Sequence, residues 1–101
     1  MSQIAVIAKI PCQPGTRDQV AAGLQPMLDH TESESGTLRY VLLADTTDAD
    51  TLWMYELYED QAALDAHGAS DAMKALGGAI GPHLAGRPEL HFCAPVGGKG
   101  L

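Results

Sequence analysis

The chain is short of positive charge. Six Lys and Arg stand against thirteen Asp and Glu, a net charge of −7. Nucleic acids and anionic membrane surfaces both call for a basic face, so neither is expected as a partner. Cysteine is scarce too. Cys12 and Cys93 make no disulfide framework, so packing roles, reduced thiols and a cytoplasmic setting are expected. No run approaches the roughly 20 apolar residues of a membrane span. The opening, MSQIAVIAKI, lacks the basic start, long apolar run and cleavage site of a secretory leader, so none is expected. Neither a phosphate-binding loop nor a G-x-S-x-G elbow occurs. The four histidines, His30, His67, His83 and His91, have no partner at a metal-ligand spacing, so no metal is expected.

Hydrophobic residues are not scarce. They make up 46% of 101 residues, which argues against disorder and for one small domain. That domain is expected over residues 1–96, with a flexible tail over 97–101.

Residues 3–10 are rich in β-branched types and read as a strand, stopped by Pro11 and Pro14-Gly15. Thr16 and Gln19 fit a capping box for a helix carrying Val20, Leu24, Met27 and Leu28, weakened at Pro26. Leu38–Ala44 and Thr51–Tyr58 read as a hairpin around the loop 45–50. Asp60 and Ser70 are candidate N-caps of two further helices. The second is expected to place Met73, Leu76, Ile80 and Leu84 on one face, with Gly77, Gly78 and Gly81 weakening its end. Residues 89–95 close the chain as a strand. The order β-α-β-β-α-α-β predicts an α+β, ferredoxin-like split βαβ with a four-stranded antiparallel sheet.

Both faces of that sheet are apolar. Ile4, Val6, Ala8 and Ile10 oppose Ala5 and Ile7; Leu38, Tyr40 and Leu42 oppose Val41 and Leu43; Trp53, Tyr55 and Leu57 oppose Leu52, Met54 and Tyr58. Helices cover one face only, so a second copy of the chain is expected over the other.

One carboxylate, Glu56, interrupts the apolar third strand and needs a partner. The chain return after it brings His67 back towards the sheet. Two readings stand: a Glu56-oriented imidazole that moves a proton on a substrate, or a hydrogen bond that fastens helix to sheet. Tyr40, Trp53, Tyr55 and Tyr58 crowd the hairpin, where one set can line a cavity for a flat ligand while the rest fill core and interface. Arg39, a cation in an apolar strand, pairs across a dimer or meets an anionic substrate group. Arg87, His83 and His91 read as surface or pocket rim.

The string Glu56-x-Tyr58-x-Asp60-x-x-Ala63-x-x-x-His67-x-x-Ser70 resembles the signature of the antibiotic biosynthesis monooxygenase family, above all its small quinol-monooxygenase-like members. So do VIAKI followed by Pro14-Gly15, the run Glu34-x-Gly36-x-x-x-Tyr40, and Gly86-Arg87-Pro88. The resemblance covers residues 3–95 in one register. It implies a dimeric α/β barrel and cofactor-independent oxidation of a quinol, phenol or polyketide-like aromatic by dioxygen. It implies His67 for proton transfer, Glu56 for orienting it, and Tyr58 beside them. Tyr40 matches less securely. Where family members often carry Pro-His, this chain has Asp71 and Ala72. The haem-degrading relatives use an Asn on the first strand, a Trp where this chain has His67 and a His where it has Gly77; this chain has no Asn at all, and haem oxygenation is not expected. An isomerase or epimerase on the same fold, or a non-catalytic ligand-binding dimer, are the alternatives.

Overall fold

The computed structural model describes residues 2–101. Four strands, β1 (Ile4–Pro11), β2 (Thr37–Ala44), β3 (Thr51–Tyr58) and β4 (Glu89–Cys93), form one antiparallel sheet in the order β2-β3-β1-β4. Three helices, α1 (Arg17–Thr31), α2 (Gln61–Gly68) and α3 (Asp71–Ile80), complete the expected element order, with a 3₁₀ turn over Gly81–His83. The split βαβ follows: β1 and β3 lie side by side at the centre, and β2 and β4 are the edges.

Each boundary has a local cause. Pro14 and Gly15, the latter at φ 78, turn the chain out of β1. The capping box at Thr16 does not form. The Thr16 hydroxyl instead donates to the carbonyls of Gln13 and His83, at 2.8 and 3.0 Å, and so ties the start of α1 to the end of the 3₁₀ turn. α1 runs through Pro26 to Thr31. The caps of α2 and α3 are as expected: Asp60 Oδ1 accepts from the Ala63 amide at 2.8 Å, and Ser70 Oγ from the Met73 amide at 3.1 Å. Caps of this kind contribute roughly 1 kcal/mol each. Leu84 does not extend α3, as its spacing suggested. It leaves the helix and bridges to Cys12.

Strand parity sorts the two sheet faces as expected. The even-numbered residues Val6, Ala8, Ile10, Leu52 and Met54 are buried beneath the helices with Val20, Leu24 and Ile80. Cys12 is part of this core; Cys93 is exposed on β4, so only one of the two cysteines packs inside. The outer face carries Ile7, Trp53 and Tyr55 half-buried, and Val41 and Leu43 at 40% and 46% exposure. β4 stops at Cys93 and not at Pro95. Beyond it, Gly97–Leu101 run without regular structure and line a shallow depression with Ala5 and Tyr55.

The helices do not cover the inner face evenly. Leu90 and Phe92 pair with Ala8 and Val6 and share their face, yet are 52% and 62% exposed. A cavity of about 480 Å³ opens there, between the sheet and the α2–α3 segment.

Candidate functional site

Apolar side chains form most of this cavity. Val6, Ala8, Ile10 and Met54 make its floor, Met73, Leu76 and Ile80 of α3 one wall, and Leu64 of α2 another. Among the described residues its polar or charged side chains are Tyr40, Glu56, His67 and Arg87. A small number of polar groups in an apolar cleft is the usual make-up of a small-molecule site.

Glu56 and Tyr40 reach the cavity because they are register partners on adjacent strands, with Val6 opposite Glu56 on the other side. His67 lies in the last turn of α2, and α2 is held close to the start of β2. A Cβ placed on Gly36 would sit 2.5 Å from Cβ of Ala63, so glycine at that position permits the approach. The same approach sets Glu34 beside His67. Glu34 occupies the turn that leads into β2, where the Thr37 amide donates to its carbonyl at 3.2 Å. Its carboxylate accepts from Thr37 Oγ1 at 2.8 Å and from His67 Nδ1 at 2.9 Å, and His30 Nε2 lies 3.2 Å from its other oxygen.

His67 is 3% exposed, and the rings of Tyr40 and Tyr58 pack against it with centroids 5.0 and 5.2 Å away. Burial pushes the Glu34 carboxyl up, but hydrogen bonds from His67 and Thr37 outweigh it, and the carboxyl is held below its ordinary value. An ionised carboxylate only accepts, so Nδ1 of His67 carries the proton and donates. In the neutral ring Nε2 is then a bare lone pair. Among the described residues it has no hydrogen-bond partner, although it is buried. A buried polar atom without a partner calls for an explanation, and a ligand group is one.

Glu56 is tied differently. It is 8% exposed, and the Tyr58 hydroxyl donates to its Oε1 at 2.5 Å. Burial raises its pKa; the Tyr58 hydrogen bond and the nearby His67 pull in the other direction without cancelling the rise. Tyr58 and Tyr40 are both raised well above the ordinary phenol range, first by burial and then by the neighbouring carboxylates. Both phenols therefore stay protonated as donors across the physiological range.

The cavity thus gathers His67, Glu56 and Tyr40, with Tyr58 buried beside His67 and outside the lining. The hydrogen-bond partner of His67 is Glu34 and not Glu56, a correction to the expected pairing. Glu34 opens the Glu34-x-Gly36-x-x-x-Tyr40 run, but nothing in that spacing marks it as the partner of His67. The other expected ligand contacts lie elsewhere. Trp53 is on the outer face, where its indole N–H donates to Asp45 Oδ2 at 2.8 Å and Lys9 Nζ sits 5.9 Å from its ring. Tyr55 lines the outer depression beside the C-terminal residues. Arg39 is exposed, its guanidinium donating to the Leu38 carbonyl at 2.8 Å. Arg87 does reach the cavity, as do Leu90 and Phe92, whose place followed from parity once β4 was set in register.

A ferredoxin-like α+β domain with a ligand-sized cavity between sheet and helices, and a carboxylate-held imidazole in its wall, defines a class of small-molecule-binding domains. The comparisons narrow it. The family model of the antibiotic biosynthesis monooxygenases matches residues 3–77, and the chain belongs to that family. A Mycobacterium tuberculosis protein bearing the name putative monooxygenase Rv0793 is 35% identical over 69 residues, which are 68% of this chain and 67% of that protein. Its solved structure superposes with a TM-score of 0.87 at 28% identity, over 97% of this chain and 99% of that one. A structure described as a putative antibiotic biosynthesis monooxygenase from Caulobacter crescentus gives a TM-score of 0.89 at 30% identity, over 95% of this chain and 92% of the other.

Proposed function

We propose that the cavity is the active site of a cofactor-independent monooxygenase that oxidises a quinol, phenol or polyketide-like aromatic with dioxygen. The observation that carries this reading is His67: a buried ring whose Nδ1 is committed to Glu34 and whose Nε2 is unpaired, in the wall of an apolar cavity.

A ring hydroxyl bound against Tyr40 and His67 gives its proton to Nε2. Glu34 holds the tautomer that can accept it and stabilises the imidazolium that results. The substrate anion is left among Val6, Ala8, Met54 and Leu76, where water cannot spread its charge. It is then electron-rich enough to reduce dioxygen itself. A carbon–oxygen bond forms at a ring carbon. One oxygen atom stays as the new carbonyl of a quinone; the other leaves as water with the hydroxyl proton and the displaced ring hydrogen. Glu56 and Tyr58 act as a pair that supports the His67 ring from the sheet.

The outer sheet face supports a homodimer as the working form, with Ile7, Val41, Leu43, Trp53 and Tyr55 buried against a second copy. Among the described residues no helix is long and apolar enough to cross a membrane, and the free thiols of Cys12 and Cys93 suit a reducing, cytoplasmic setting.

The deciding experiment is oxygen consumption with a panel of quinols, using chelator-treated, flavin-free protein. Uptake matched to quinone formation, and lost in His67→Ala, is the expected result. A substrate that rearranges while oxygen stays constant would overturn oxygenation in favour of proton-shifting isomerisation.

A further inference from the structure

Glu34 meets a second histidine. Nε2 of His30 lies 3.2 Å from Glu34 Oε2, while Oε1 takes the hydrogen bonds of His67 Nδ1 and Thr37 Oγ1 at 2.9 and 2.8 Å. The local chain path brings His30 there. α1 ends at Thr31, but the backbone keeps turning. The amides of Ser33 and Glu34 donate to the carbonyls of His30 and Thr31, each at 3.0 Å, and Ser33 Oγ donates to the His30 carbonyl at 2.7 Å. Glu34 therefore stays one turn beyond His30, at the i, i+4 spacing at which side chains on a helix meet.

The two histidines differ in setting. His67 is buried, whereas the His30 side chain is 37% exposed and that of Glu34 15%. Glu34 lines a depression of about 420 Å³ with Ser33, Gly36, Thr37 and Ala63. Among the described residues His67 alone lines both this depression and the cavity. The carboxylate thus holds a buried ring while remaining open in part to solvent, and water competes for its oxygens.

We infer that His30 is a positioning residue of the site: its hydrogen bond to Oε2 fixes the Glu34 carboxylate in the orientation that keeps the proton on Nδ1 of His67 and leaves Nε2 bare. The inference rests on the proposed role of His67 and adds the residue that secures it. A carboxylate only accepts, so Nε2 of His30 carries a proton and donates, whether the ring is neutral or charged. Three donors then hold two oxygens. With Oε2 given up to water, the carboxylate turns about its Cγ–Cδ bond, and Nδ1 of His67 spends part of its time without an acceptor. The hydrogen bond at one ring nitrogen sets which nitrogen carries the proton, so its loss lets the proton settle on Nε2. A protonated Nε2 cannot accept from a substrate hydroxyl. The contact contributes order more than stability, because an ion pair this exposed adds little to folding.

The test compares the wild type with His30→Ala and His30→Gln. The glutamine amide reaches about as far as Nε2 of histidine and keeps a donor. Long-range ¹H–¹⁵N spectra of the histidine rings, recorded without any ligand, read the tautomer of His67. The wild type and His30→Gln are expected to show the Nδ1–H form. In His30→Ala the two ring ¹⁵N shifts of His67 should move towards each other as the tautomers mix. Oxygen uptake over the panel of quinols should fall about three- to tenfold in kcat in His30→Ala, the range set by one hydrogen bond of ordinary net strength, with KM nearly unchanged. His30→Gln should recover it, and melting temperatures should agree within about 3 °C. An unchanged His67 tautomer in His30→Ala overturns the inference, as does an equal shift in His30→Gln or a loss of turnover that follows thermal stability. If the tautomer shifts as expected while no protein, wild type included, consumes oxygen, the oxygenation reading has failed and the positioning role of His30 stands.

Discussion

Glu34 Oε1 lies 2.9 Å from Nδ1 of His67, although 33 residues separate them in the chain. The contact joins the turn before β2 to the last turn of α2. It decides which imidazole nitrogen is free. Replacing Glu34 by Gln leaves a side chain of the same size that can no longer hold the charge of an imidazolium. Turnover is expected to fall by about 10²- to 10⁴-fold, the range a positioned general base contributes, with KM nearly unchanged. Steady-state kinetics on Glu34→Gln check this, with substrate binding measured separately.

The pH dependence of stability carries two opposite contributions. Glu34 is held below its ordinary value of 4.5 in the folded protein. Its stabilising contribution is present above that value and is lost as pH falls through the lower folded value. Glu56 is raised above 4.5. Its folded state holds the proton more tightly, so stability is lost as pH rises through the raised value. Urea unfolding over a pH series should show a shallower acid loss in Glu34→Gln than in the wild type. Glu56→Gln should equal or exceed wild-type stability at neutral pH, with the difference closing towards acid.

Gly36 tests how the site is built. A methyl group there meets Cβ of Ala63 at 2.5 Å and Glu59 Oε1 at 3.2 Å. Gly36→Ala must push α2 away from the start of β2. A loss of about 1–3 kcal/mol is expected from overpacking of this kind. The His67–Glu34 contact should lengthen with it. Thermal unfolding reads the first effect, and the His67 ring signals in NMR the second.

Leu43→Lys and Val41→Glu place charge on the outer sheet face, away from the cavity. Each is expected to convert a dimer to monomer without disturbing the fold of the subunit. Light scattering with size-exclusion chromatography measures the mass, and circular dichroism the fold. An unchanged dimer mass in both variants would place the interface elsewhere.

Much of the fold could be read from alternation and caps. The parity of β1 and β3 separated the core row Val6, Ala8, Ile10 from the outer row, and Asp60 and Ser70 marked two helix starts through backbone amides they do satisfy. Thr16 misled because its hydroxyl found two carbonyls, one of them 67 residues away, in place of a local amide. Leu84 kept helical spacing past Ile80, but its backbone pairs with Cys12. The site was half readable. Glu56 and His67 stood out as polar groups in apolar settings, and the cavity holds both. Their expected pairing failed because proximity along the chain does not rank partners. Glu56 is met first by Tyr58, two residues on, while His67 is met by Glu34, which only the Gly36–Ala63 approach brings within reach. Parity puts Trp53 and Tyr55 together on one face but does not say which face carries a cavity; the helices leave it over the other one.

Trp53 is the chain's one tryptophan, and its indole N–H is fixed to Asp45 on the outer face. The protein therefore contains its own optical probe in a useful place. Its emission will follow events on the outer face, such as association of two copies, so dilution can be read with no label attached.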